Sequence, residues 1–258
     1  MSEGSVHYSV ADKVATIVFD RPEARNAMTW AMYYGLAQAL ESISADQAVS
    51  VAVLRGAGHE AFVAGTDIAQ FSAFEGAADG LRYEHQINAA IERLERVMKP
   101  TIAVVEGWAT GGGLIIAAAC DFRLAAPNAR FGVPIARTLG NCLSIANVAR
   151  LVHAFGPART KRILMLAEMI SGEEAAACGF AELIPAGEEL ETKLAVVCRR
   201  LSEHAPLTMF AAKEAMRRLA TAHLPGDEDL IHIVYGSADF KEGVAAFLAK
   251  RKPDWRGE

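Results

Sequence analysis

At 258 residues the chain has room for one large domain, or one domain with a small appendage. A composition that is 52% hydrophobic and 22% charged excludes a disordered chain and suits a globular α/β protein. The formal charge of −5 excludes a general attraction to nucleic acid or to acidic membranes, so an anionic ligand would need local basic residues or helix N-termini. Cys120, Cys142, Cys178 and Cys198 are scattered without CxxC or Cys/His spacing. They read as reduced thiols of a cytoplasmic protein, with no zinc or other metal site. The start, MSEGSVHYSV, lacks the basic-then-apolar plan of a signal peptide, and the longest apolar run, Leu114–Cys120, is too short to span a bilayer.

In chain order, His7–Val10 and Val14–Asp20 read as strands around the turn Ala11-Asp12-Lys13. Pro22 breaks the second strand inside a polar segment ending at Asn26. Thr29 is placed to cap a helix running to about Ile43. Val49–Leu54 is a short strand, and Ala61–Ile68, with Gly65 and Asp67, reads as a loop leading toward a helix. Leu81–Val97 is helical, with Ile87, Ile91, Leu94 and Val97 on one face. Pro100 stops it, and Thr101–Val105 is the next strand. Leu114–Cys120 follows as an apolar helix, then brief strands at Asp121–Ala125 and Ala129–Phe131. Helices are expected near Ser144–Phe155, Pro157–Leu166 and Gly172–Cys178, with a strand at Ala181–Ile184 and helices over most of Glu188–Leu248.

Strands alternating with helices imply a sheet covered by helices. The helical tail carries Ile231, Ile233, Val234, Phe240 and Phe247 with little sheet of its own to cover. It is expected to pack on a neighbouring subunit, the alternative being a cap on its own core.

The most informative stretch is Ala109-Thr110-Gly111-Gly112-Gly113-Leu114-Ile115-Ile116. Three glycines between a strand and a helix expose backbone N–H groups that suit a developing negative charge. The side chains that follow are all hydrocarbon, so the anion-stabilising device has no acid or base beside it.

Five ordered segments resemble the crotonase (enoyl-CoA hydratase/isomerase) superfamily. They are Asp20-Arg21-Pro22-Glu23-Ala24-Arg25-Asn26-Ala27-Met28, Ala61-Phe62-Val63-Ala64-Gly65-Thr66-Asp67-Ile68, the run Lys99–Gly107 with the glycine triplet, Cys120-Asp121-Phe122-Arg123, and Phe240–Arg251. The resemblance implies a spiral of repeated ββα units binding acyl-CoA over residues 1–195. Over residues 196–258 it implies a C-terminal helical region that builds a homotrimer, often paired into a hexamer. It implies a thioester oxyanion hole formed by the backbone N–H groups of Thr66 and Gly112. Thr66 stands where alanine is commoner, and its hydroxyl is expected to make a local backbone hydrogen bond. Glu23, Ala24, Arg25, Ala64, Gly65, Asp67 and Ile68 would lie along CoA, with Arg25 on a phosphate and Asp67 bracing a loop. Phe247 and Lys250 match positions that reach the CoA nucleotide of an adjacent subunit. CoA is then the substrate's carrier, and no cofactor is implied.

The two glutamates that relatives use to hydrate enoyl-CoA are matched here by Ile115 and Ile135, and no Asp or Glu occurs between Asp121 and Glu168. Proton transfer at C2–C3 by a positioned acid or base contributes about 10²–10⁴-fold, and isoleucine supplies none of it. Arg137 is a candidate for binding a carboxylate on the substrate, against a structural pairing with Glu60 or Asp67. His85, in Tyr83-Glu84-His85-Gln86, is a candidate proton-transfer group, since an unperturbed imidazole titrates near neutrality. Cys142 and Ser144 lack the neighbours of a nucleophilic triad.

The leading reading is an acyl-CoA-processing lyase or isomerase, nominally an enoyl-CoA hydratase, working outside the two-glutamate mechanism. The alternatives are decarboxylation, which generates an enolate without a protein base, thioester hydrolysis, and non-catalytic acyl-CoA binding.

Overall fold

The computed structural model describes residues 3–185 and 189–258. The chain opens with an antiparallel hairpin of β1 (Ser5–Ala11) and β2 (Val14–Asp20). Asp12 and Lys13 both take positive φ, 49° and 67°, as a tight two-residue turn requires. Thr29 caps α1 (Trp30–Ala45) by accepting from the Met32 N–H. Then follow β3 (Val51–Gly56), β4 (Ala61–Ala64), α2 (Ala77–Arg96), β5 (Thr101–Val105), β6 (Trp108–Thr110) and α3 (Gly112–Ala119). The next elements are β7 (Phe122–Ala125), β8 (Arg130–Gly132), α4 (Ile135–Thr138), α5 (Ile145–Met165), β9 (Ile170–Ser171), α6 (Gly172–Ala177) and β10 (Glu182–Leu183). Helices α7 (Leu190–Glu203), α8 (Pro206–Thr221), α9 (Glu228–Tyr235) and α10 (Ala238–Leu248) complete the described chain.

Two sheets run through the molecule. The larger has the order β1-β2-β3-β5-β7-β10 and is parallel beyond the hairpin. The smaller has the order β4-β6-β8-β9, with only β8 and β9 antiparallel. Each turn of the chain therefore places one strand in each sheet: β3 with β4, β5 with β6, β7 with β8. This is the expected spiral of ββα units. The expected pattern lacks β4, β6 and β9, while β7, β8 and β10, equally short, stand where brief strands are expected. It also lacks α4, a single turn. The two helices expected over 144–166 are present as the two halves of α5, which breaks at Gly156 (φ 72°, ψ 161°) just before Pro157.

The period of two explains the layering. Ala15, Ile17 and Phe19 of β2 point into the main core together with Ala52, Leu54, Ala103 and Val105. Val51, Val53, Ile102 and Val104 face the other way, onto Leu194, Cys198 and Leu201 of α7. Both faces of β3 and β5 are thus covered, which is why these strands read as continuous apolar runs. The expected boundary between residues 195 and 196 falls inside α7, the helix that covers the large sheet. Residue 188, where the helical tail was expected to begin, lies outside the described residues.

Part of the tail covers its own core. Ile231, Tyr235, Phe240 and Val244 enter the main core, where Phe240 and Tyr235 pack against Phe74. Ile233 and Phe247 stay exposed, as do Leu207, Met216 and Leu219 on α8. α8 buries no side chain; it is tied down through Lys213, whose Nζ lies 2.8 Å from Asp121 Oδ2. No described helix is long and apolar enough to cross a membrane.

Candidate active site

The glycine triplet shapes one wall of a cavity of about 840 Å³. Gly111 takes φ 53° and ψ −122°, a conformation open to glycine, and its N–H donates to Gly132 O. That reversal starts α3 at Gly112, two residues before the expected start. The N–H of a first helical residue has no partner within its own helix. Opposite lies the turn Ala64-Gly65-Thr66, with Gly65 at φ 93°. Met28 N donates to Gly65 O and Asp67 N donates to Met28 O, leaving the Thr66 N–H between them without a backbone partner among the described residues. A Cβ placed on Gly112 would stand 3.6 Å from Thr66 Oγ1 and 3.0 Å from Tyr33 Oη. The two backbone donors therefore share one end of the cavity.

The Thr66 hydroxyl does not make the local backbone bond expected of it. It lies 3.0 Å from Tyr33 Oη and 2.9 Å from Tyr83 Oη, in a buried chain of three hydroxyls. Burial pushes the Tyr33 phenol up to about 12 and the Tyr83 phenol well above its ordinary 10, so both stay protonated near neutrality.

The turn before α1 frames the exposed end. Asn26, fully buried, accepts from Arg21 N and donates to Ala57 O and Ala61 O. Arg25 O in turn accepts from Ala64 N, so the polar turn and the turn Ala64-Gly65-Thr66 are held together. Asp67 caps the turn Ile68–Ala73 through Ala69 N and forms an ion pair with Arg21 Nη1 at 2.8 Å. Glu23, Ala24, Arg25, Ala64, Asp67 and Ile68 all line this end. Phe247 and Lys250, expected at a neighbouring subunit's site, line the cavity of their own chain. The packing of Phe240 on Phe71 and Phe74 is what brings α10 there.

At the buried end Ile115 and Ile135 both face the cavity, so hydrocarbon occupies both positions where a glutamate was sought. Arg137 and His85 are exposed, and neither is among the lining residues. Helical phase is the reason for His85. The buried stripe of α2 runs Glu84, Ile87, Ile91, Leu94, and His85 lies one residue, about 100°, off it. Cys142 does not line the cavity, and burial pushes its thiol up to about 12. Ser144 caps α5 and donates to Asn88 Oδ1 at 2.8 Å.

The residue that sequence reasoning passed over is Glu84. Only 2% exposed, it lines the cavity beside Tyr83 and Ile87. Its Oε1 accepts from Tyr235 Oη at 2.8 Å and its Oε2 accepts from Ser144 N at 3.0 Å. Burial raises this carboxyl from its ordinary 4.5 to about 7, outweighing the two hydrogen bonds that lower it, and the Asp227 charge adds to the rise. A pKa raised in the folded state gives stability that is complete below 4.5 and lost as pH rises through 7. The full span is worth about 3 kcal/mol. Urea unfolding between pH 5 and 8 checks it: wild type should lose ground steadily against Glu84→Gln, and parallel curves would refute it.

Over residues 9–258 the sequence matches the family described as enoyl-CoA hydratase/isomerase. It is 33% identical over 251 residues to crotonyl-CoA hydratase of Syntrophomonas wolfei, covering 95% of each chain. Its structure resembles methylmalonyl-CoA decarboxylase in complex with 2-nitronate-propionyl-CoA, with a TM-score of 0.90 and 28% identity over the whole of both chains. It also resembles an enoyl-CoA hydratase/carnithine racemase from Magnetospirillum magneticum, with a TM-score of 0.80 and 31% identity, covering 99% and 98% of the two chains.

Proposed function

The chain belongs to the enoyl-CoA hydratase/isomerase family, and from that premise we propose that it turns over an acyl-CoA thioester through an enolate. The observation that carries the reading is the pair of N–H groups of Thr66 and Gly112, without backbone partners among the described residues, at one end of the cavity. The thioester oxygen sits between them. Each preorganised donor lowers the barrier by roughly 3–4 kcal/mol as charge develops on that oxygen. CoA follows the exposed end, where Arg25 and Lys250 make no ion pair among the described residues and suit its phosphates. The acyl chain enters the buried end between Ile87, Ile115, Ile135 and Leu139.

Hydration by a water held between two glutamates does not fit a site with Ile115 and Ile135 in the wall. Decarboxylation is the second reading, favoured by those isoleucines and by the likeness to methylmalonyl-CoA decarboxylase. Against it, the buried end has no cation in its wall among the described residues, and Arg137 lies outside the cavity. A substrate carboxylate would be desolvated there without a partner. The exposed apolar side chains of α8 and α9 support assembly into a trimer or hexamer, as the resemblance implies.

The test is a thioester panel of butyryl-, crotonyl- and methylmalonyl-CoA. It is read by exchange of C2 hydrogen for deuterium, by product formation and by CO₂ release. Catalysed C2 exchange is expected; hydration of crotonyl-CoA would show that the site activates water despite Ile115 and Ile135. CO₂ release from methylmalonyl-CoA without exchange would shift the conclusion to decarboxylation. Tight CoA binding with no chemistry on the panel would make the protein a binding module.

A further inference from the structure

The cavity lacks a carboxylate at both expected positions, yet its buried end contains one among the described residues. We propose that Glu84, carried on α2, is the proton-transfer residue of this site, taking over from a different helix the role that Ile115 and Ile135 cannot fill. The inference rests on the acyl-CoA reading above.

Three observations on geometry carry it. Glu84 lines the same cavity as Gly112 and Thr66, and it shares a helix with Tyr83, whose hydroxyl bonds Thr66 Oγ1. It is the only Asp or Glu lining the buried end among the described residues; Glu23 and Asp67 lie at the other end. Asn141 Nδ2 donates to Tyr235 Oη at 3.3 Å, while its buried Oδ1 has no partner among the described residues. A carboxyl held by two donors, Tyr235 Oη and Ser144 N, retains lone pairs for a third contact from the cavity.

The step balances with what the site and substrate supply. The Glu84 carboxylate removes the proton at C2, so the C2–H bond breaks and an O–H bond forms. The electron pair moves into the C1–C2 bond, and the thioester π pair moves onto oxygen, against the N–H groups of Thr66 and Gly112. Return of the proton to C2 gives exchange. Return to C4 of a 3-enoyl thioester moves the double bond into conjugation, with no water and no other reactant. One carboxyl group suffices for this sequence, whereas hydration asks for an acid and a base around the same water.

Groups on every packed element bear on the titration. Tyr33 faces Glu84 from α1, and Tyr235 from α9, with Asp227 at the N-terminus of α9. Cys142 faces it from the segment before α5, and Tyr83 is its neighbour on α2. α3, packed across α2, contributes no titratable side chain. The three phenols and the thiol are all pushed upward by burial. The carboxyl, at about 7, is matched to proton transfer at neutral pH.

The test uses the full-length protein with the panel thioester that wild type handles fastest. It reads C2 exchange and turnover from pH 5 to 9, with CoA affinity by calorimetry. Wild type should gain rate with pH around a midpoint near 7. Glu84→Gln, whose amide can still pair with Tyr235 and Ser144, should lose about 10²–10⁴-fold in kcat and lose that midpoint, with CoA affinity held within about threefold. Tyr235→Phe removes a hydrogen bond that lowers the carboxyl's pKa, so it should move the midpoint upward while leaving it visible. That variant decides the matter if Glu84→Gln does not fold. A Glu84→Gln protein with undiminished kcat, or a midpoint unmoved by Tyr235→Phe, overturns the proposal. Wild type inert toward the whole panel would sink the acyl-CoA reading and this inference together. An active wild type with an equally active Glu84→Gln sinks only the inference.

Discussion

Gly112→Pro is expected to lower kcat toward the favoured thioester by about 10²–10³-fold, with KM changed by less than about threefold. Proline deletes one N–H and nothing that α3 uses, because Gly112 is the first residue of the helix and its N–H has no partner there. Proline is also favoured at that position, so the fold should persist. The loss falls on kcat because the oxygen bears full negative charge only as the enolate forms. Gly112→Ala is the matched control. It keeps the N–H and adds a Cβ 3.0 Å from Tyr33 Oη, which the tyrosine must yield to by a few tenths of an ångström. A nitronate-bearing acyl-CoA, which mimics the enolate, should lose affinity for Gly112→Pro far more than for Gly112→Ala. A Gly112→Pro enzyme with kcat within threefold of wild type would remove Gly112 from the oxyanion hole.

Asn26→Ala should produce the largest loss of stability, about 3–5 kcal/mol, which for a domain of this size lowers Tm by about 10 °C. Asn26 is fully buried and makes three hydrogen bonds, one from Arg21 N and two to the carbonyls of Ala57 and Ala61. Alanine leaves all three groups without their partner, and each unsatisfied buried group costs about 1–3 kcal/mol. The position also has φ 57°, where asparagine is tolerated and alanine is penalised by roughly 1 kcal/mol. Urea unfolding gives the stability, and CoA binding gives the functional consequence. The bond from Ala64 N to Arg25 O links this turn to the turn Ala64-Gly65-Thr66 at the cavity, so affinity should fall at temperatures where the variant remains folded. A loss below about 1 kcal/mol, the cost of a single unsatisfied group, would show that the segment Arg21–Asn26 holds its shape without the asparagine.

Most of the architecture is legible in the chain. The apolar runs of β2, β3 and β5, the Thr29 cap and the stop at Pro100 are signals between near neighbours, and they stand where expected. The smaller sheet is not legible in this way. β6 and β9, three and two residues long, exist because β4 and β8 lie alongside them, and no local pattern announces such a pairing. Glu84 is a different kind of miss. The stripe Ile87, Ile91, Leu94, extended three residues backward, lands on it and not on His85. An acidic residue in phase with an apolar face is a signal that the α2 sequence carries on its own.

By itself the sequence determined the family, the glycine triplet before α3 and the hydrocarbon at positions 115 and 135. Residue identity and local period belong to the chain and do not depend on how it folds. Only the tertiary structure decided that a carboxyl stands in the wall at the buried end of the cavity. The partners of Glu84 are Ser144, 60 residues away, and Tyr235, 151 residues away. Its raised pKa is a property of burial among them. In an extended chain the same residue is one more solvated glutamate, with an ordinary carboxyl and no cavity to face.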